Sequence, residues 1–127
     1  MISKKLLSTI LCVEILDIEN GIPIYAKGLV DNHINYSISG KYGEFFSANV
    51  YELMAKAKEW AIGEEYCLSS YIHDYGRGTD YCCCEILIPL YGSSHSFGGL
   101  LKTTDGTTEH EAVFRACEWI LQRKSNG

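Results

Sequence analysis

Proline is scarce in this sequence, two in 127 residues, and no low-complexity tract occurs. That shortage excludes collagen-like and proline-rich extended chains, and with 46% hydrophobic against 21% charged residues it also excludes long disorder. Long apolar runs are missing too. The stretch from Leu6 to Ile18 is broken by Ser8, Thr9, Glu14 and Asp17, so nothing approaches the ~20 residues that a membrane span needs. Glu14 and Asp17 also stand where the apolar region and cleavage site of an export signal would follow Lys4 and Lys5. A cytoplasmic protein without membrane contact is expected. Positive charge is equally short: 11 Lys and Arg against 16 Asp and Glu leave a net charge of −5. Direct binding of nucleic acid, which draws affinity from phosphate neutralisation, is therefore not expected. Lys4, Lys5, Lys56, Lys58, Arg115, Arg123 and Lys124 do not cluster, and each has acids nearby in sequence. An acidic surface instead complements a basic partner, such as a protein that itself binds nucleic acid.

Catalytic signatures are absent as well. There is no Gly-x-Gly-x-x-Gly fingerprint and no phosphate-loop lysine motif, and Gly76-Arg77-Gly78 is too short to cradle phosphate. The four histidines, His33, His73, His95 and His110, form no zinc-protease pair. Six cysteines are present: Cys12, Cys67, Cys82, Cys83, Cys84 and Cys117. Three are consecutive, which reads as reduced thiols in a cytoplasm rather than a disulfide framework. In a strand, Cys82 and Cys84 point to one face and Cys83 to the other. Cys67, His73, Cys82 and Cys84 are the only set within reach of one hairpin that could hold zinc, and their spacing lacks the usual two-residue gap. Buried structural thiols are the expectation, with no metal or cofactor. A small Cys/His enzyme, for example one pairing His73 with Cys83, is the alternative.

What is present is helical and strand periodicity. Ser3 caps a short helix expected over 4–11. Val13, Ile15 and Ile18 suit a strand, Asn20-Gly21 is a two-residue hairpin signal, and 22–30 is the returning strand, with Pro23 near its start. A third strand is expected over 33–39, then a glycine-bearing loop over 40–47 that ends in Phe45 and Phe46. Asn49 and Glu52 cap an amphipathic helix over 49–62, carrying Val50, Leu53, Met54, Ala57, Trp60 and Ala61. Strands follow over 66–74 and 81–89, joined by a tight glycine turn, and a last strand over 96–104. Thr108 and Glu111 form a capping box before Val113, Ala116, Cys117, Ile120 and Leu121. A shift of 59 positions lays Asn49 on Thr108, Glu52 on Glu111, Ala57 on Ala116 and Trp60 on Trp119. The expected fold is one α+β domain over 1–127: an antiparallel sheet of about five to six strands with two amphipathic helices packed on one face and a short N-terminal helix. Trp60 and Trp119 are expected to be mostly buried at equivalent helix ends.

The opening Met1-Ile2-Ser3-Lys4-Lys5-Leu6-Leu7-Ser8 through Asp17-Ile18-Glu19, the run Asn49-Val50-Tyr51-Glu52-Leu53 through Lys58-Glu59-Trp60-Ala61, and Glu111-Ala112-Val113-Phe114 through Trp119-Ile120-Leu121 resemble a group of small phage and prophage proteins. The resemblance touches about a third of the chain and rests on helix caps and packing positions. It implies a compact α+β fold and a bacterial host cytoplasm. Small acidic proteins of that setting include inhibitors of host defence, among them anti-CRISPR proteins.

The chain is rich in one residue type, tyrosine, with nine. Tyr66, Tyr71, Tyr75, Tyr81 and Tyr91 fall in or beside one hairpin, with Arg77 at its turn. Tyrosine gives large contact area at low entropic cost and is enriched at interfaces. These six residues form the expected partner surface of a non-enzymatic binder that inhibits or modulates a host protein, with CRISPR-Cas components among the candidate targets. A self-associating accessory domain is a further alternative.

Overall fold

In a computed structural model the described residues are 2–19, 32–41, 43–73, 81–89 and 97–126. The expected Asn20-Gly21 turn and the strand over 22–30 lie outside them. Helix α1, Lys4–Leu11, starts as the sequence predicts: Ser3 Oγ accepts the Leu6 N–H at 3.1 Å. It ends where Cys12 takes a left-handed conformation, φ 58°. Strands β1 (Ile15–Glu19), β2 (His33–Ile38) and β3 (Phe46–Asn49) form an antiparallel sheet in that order.

β3 occupies the end of the segment expected to be loop. Four residues are too few to display alternation, and the strand is fixed by its neighbour: Phe46 lies directly opposite Tyr36, their rings stacked 5.8 Å apart. Gly40 and Gly43, at φ 86° and 80°, supply the left-handed backbone that the intervening turn requires. Asn49 ends β3 and caps helix α2 (Val50–Gly63), its side chain accepting the N–H groups of Tyr51 and Glu52 at 2.9 and 3.3 Å.

The chain then builds a second antiparallel sheet, β4 (Cys67–His73), β5 (Tyr81–Pro89) and β6 (Phe97–Gly106), before helix α3 (Glu109–Asn126). The α+β class is as expected; the single sheet of five to six strands is not. Six strands occur among the described residues, split into two sheets of three. Alternating polarity counts strands and says nothing of their partners: β3 pairs with β2 and β4 with β5, and β3 and β4 are not paired among the described residues. The order β-β-β-α thus occurs twice, each meander closed by one of the two helices that match at the 59-residue shift.

One hydrophobic cluster joins these parts. Leu6, Leu7 and Ile10 of α1, Ile15 and Ile34 of the first sheet, and Leu53, Ala57 and Ala61 of α2 meet Leu68, Cys82, Cys84 and Ile86 of the second sheet. Val113, Ala116, Cys117 and Ile120 of α3 complete it. α3 packs across the second sheet, whereas α2 lies beside α3 and touches both β3 and β4. The expectation of two helices on one face therefore holds for α3 and only in part for α2. Trp60 and Trp119 are half-buried at the margin of the cluster, not within it. No helix of the described residues is long and apolar enough to cross a membrane.

Candidate functional site

Alternation along the second sheet gives it two unlike faces. Leu68, Cys82, Cys84 and Ile86 enter the core beneath α3. Cys67, Ser69 and Tyr71 of β4, Tyr81, Cys83 and Glu85 of β5, and Thr103 and Asp105 of β6 share the opposite face by register. Among the described residues no helix packs there.

On this outer face Tyr71 sits opposite Cys83, which in turn sits opposite Asp105. The Tyr71 hydroxyl donates to Glu85 Oε1 at 3.2 Å. Partial burial, followed by the Glu85 carboxylate and the hydrogen bond to it, raises the Tyr71 hydroxyl above its ordinary value. The Glu85 carboxylate gives the Tyr71 hydroxyl an acceptor on this face. Cys83 is only 5% exposed although it is no part of the core cluster. Beside it, at the end of the sheet, Tyr81, Asp105, Gly106, Thr107, Glu111 and Arg115 line an open cavity of about 310 Å³. The Arg115 guanidinium donates to Asp105 O at 2.8 Å and to Glu111 Oε1 at 2.8 Å, so two of its donors are engaged within the chain.

The sequence-predicted surface is only partly assembled here. Tyr71 and Tyr81 share the outer face. Tyr66 packs against the core margin instead. Tyr75, Arg77 and Tyr91 lie outside the described residues. Glu85 and Asp105 were not singled out from the sequence. The two-residue spacing of Tyr81, Cys83 and Glu85 carries the signal for Glu85, while Asp105 joins only through strand register.

Cys67, Cys82 and Cys84 of the candidate metal set are not brought together. Cys82 and Cys84 enter the core, and Cys67 lies on the other face, as required by a register that pairs it with Leu87. Burial in apolar surroundings pushes the Cys84 and Cys117 thiols up to about 12, the reverse of what a metal ligand or nucleophile needs. Among the described residues no three His, Cys, Asp or Glu side chains are grouped to hold a metal ion. A separate polar cluster, missed in the sequence, stands where α2, β4 and α3 meet. Lys58 Nζ donates to Ser70 Oγ at 2.9 Å, and Ser70 Oγ donates to Glu109 Oε1 at 2.6 Å.

No family model, curated protein or solved structure matches the chain.

Proposed function

We propose that the chain is a phage- or prophage-encoded, non-enzymatic binder that inhibits or modulates a host protein in the bacterial cytoplasm. The observation carrying this reading is the outer face of the second sheet, on which no helix packs among the described residues. There Tyr71 is held by Glu85 above a buried Cys83, with Asp105 alongside. A ring fixed before binding loses little entropy on contact, which makes such tyrosines effective anchors. Acidic groups beside it, on a chain of net charge −5, complement a basic partner. A nucleic-acid-binding component of a bacterial defence system, such as a CRISPR-Cas complex, has that chemistry.

Affinity capture from a bacterial lysate tests the reading. A defined protein should be retained by the parent chain and lost with Tyr71→Ala combined with Glu85→Gln, at unchanged melting temperature. Phage plating on strains that carry single, defined defence systems then names the target class. Equal plating on every strain together with an empty capture would sink the proposal.

A further inference from the structure

The strands at the margins of the two sheets differ in how they are protected. β1 carries a register shift and Asp17. β3 is four residues long. β6 has two register shifts and exposes Lys102 and Asp105. Short length, bulges and charges are the devices that keep an edge from pairing with another chain. β4 has none of them. Its register with β5 runs unbroken from Cys67 to His73, and its sequence contains no Lys, Arg, Asp, Glu or Pro. Among the described residues no strand pairs with its other side.

α2 runs back along this strand, and the Lys58–Ser70 bond fixes which side of the helix faces it. Tyr51, Ala55, Lys58 and Ile62 recur at the spacing of one helical stripe. At about 1.5 Å per helical residue and about 3.3 Å per strand residue, Ile62 lies level with Leu68, and Tyr51 lies level with the far end of β4. Ile62 is 55% exposed, Tyr51 53%, and Ile72 of β4 63%. The Tyr51 ring meets the His110 ring of α3 edge-on, 6.2 Å between centroids, so Ile62 and Ile72 are the exposed apolar side chains that border the strip between α2 and the unprotected strand.

We infer that this edge takes one added strand: an extended, cationic segment of a partner protein with apolar side chains at alternate positions. Its main chain pairs with β4, and its apolar side lies against Ile72 and the α2 stripe, a mode in which main-chain bonds give affinity and alternate side chains give specificity. At the centre of the strip Lys58, Ser70 and Glu109 satisfy one another, so the segment needs no ion there. A net charge of −5 favours basic residues at its ends. A second copy fits less well. Pairing β4 with itself puts the two-fold axis normal to the sheet, which brings both α2 helices to the same side of the same edge. The inference rests on the reading of the chain as a protein binder and specifies how the partner is held.

The test uses the whole chain and a synthetic peptide of alternating valine and threonine flanked by lysines, followed by amide hydrogen exchange. The alternate β4 amides that face away from β5 should gain protection with peptide. N-methylation of one alternate set of peptide residues should abolish binding while methylation of the other set leaves it. Ile72→Lys, at an exposed site, should weaken binding at least about tenfold by placing a gatekeeping charge on the edge, with no change in melting. Three results would each overturn the inference: β4 amides turned away from β5 already protected in the free chain, binding indifferent to which set is methylated, or no protection at millimolar peptide. Capture from lysate separates this from the broader reading. A partner kept by Ile72→Lys but lost by the Tyr71 and Glu85 variant overturns the edge alone. Peptide bound at β4 with nothing captured from lysate supports the edge and counts against the host-protein reading.

Discussion

At the level of single residues, glycine and cysteine carry the sharpest consequences. A Cβ on Gly106 would stand 2.9 Å from the Ala112 backbone nitrogen and 2.9 Å from Glu111 Cβ, where β6 turns into α3. Backbone cannot yield there, so Gly106→Ala should cost about 1–3 kcal/mol, as overpacking does. Gly63, at the end of α2, is the control. Its added Cβ would meet nothing within 4 Å. Urea unfolding should show a loss for Gly106→Ala and none for Gly63→Ala; equal losses would mean the Gly106 contact is not the cause. The thiols make a second prediction. Cys84 and Cys117 are held at about 12 by burial, and the Cys117 thiol lies 3.8 Å from Ala57 O. An alkylating reagent at mildly alkaline pH should modify exposed Cys12 first and half-buried Cys67 more slowly, leaving Cys82, Cys83, Cys84 and Cys117 until unfolding. Peptide mapping of the modified protein reads this, and early labelling of Cys117 would show that α3 leaves the sheet under native conditions.

At the scale of elements, the start of α3 shows how a local motif is completed by its surroundings. Thr108 Oγ1 accepts the Glu111 N–H at 3.3 Å, as the capping box predicts. Glu111 reaches one residue further back than the box implies, accepting from the Thr107 N–H and hydroxyl at 3.2 and 2.8 Å, and it also pairs with Arg115. The Thr107 hydroxyl is the main cause that holds the Glu111 carboxyl below the usual range, with Arg115 contributing. A depressed folded value means stabilisation that is complete above the unfolded glutamate range, about 4.3, and lost as pH falls through the folded value beneath it. Glu111→Gln should therefore flatten the acid limb of a melting-temperature profile and leave its shape above pH 6 unchanged. A parallel downward shift at all pH values would assign the residue a purely steric role. The other end of α3 carries the basic residues expected there, and Lys124 extends to Glu64 at the cap of α2, 2.8 Å away.

For the whole molecule, α1 is the smallest helix and yet the tie between sheets. Leu6 and Leu7 are fully buried, and the cluster they enter reaches both sheets and the two long helices. The Ser3 N–H also donates to Glu118 at 2.9 Å, joining the chain's opening to α3. Leu6→Ala should cost about 2–5 kcal/mol in urea unfolding, the range for emptying a buried leucine site, while Leu16→Ala on the exposed side of β1 should change little. A single transition for the parent chain, seen alike by fluorescence and circular dichroism, is expected of a cluster shared in this way. Two separated transitions would mean that the two β-β-β-α units unfold independently.

The helices, their caps and the α+β class follow from local sequence alone, because caps and 3.6-residue periodicity need no distant partner. Ser3, Asn49 and Thr108 act where their spacing to the following apolar residues placed them. Local sequence also determined that Cys82 and Cys84 share a face, since strand alternation needs no partner. Only tertiary structure decided which strands pair. β3 became a strand because Tyr36 stands across from Phe46, and the six strands among the described residues form two sheets because β3 pairs with β2 and β4 with β5. The same holds for the candidate site. Tyr71 was legible as an aromatic on a strand, but Glu85 and Asp105 were brought to it by register, and the unprotected edge of β4 exists only by contrast with β1, β3 and β6. Pairing is set by contacts between residues distant in sequence, which local periodicity does not encode.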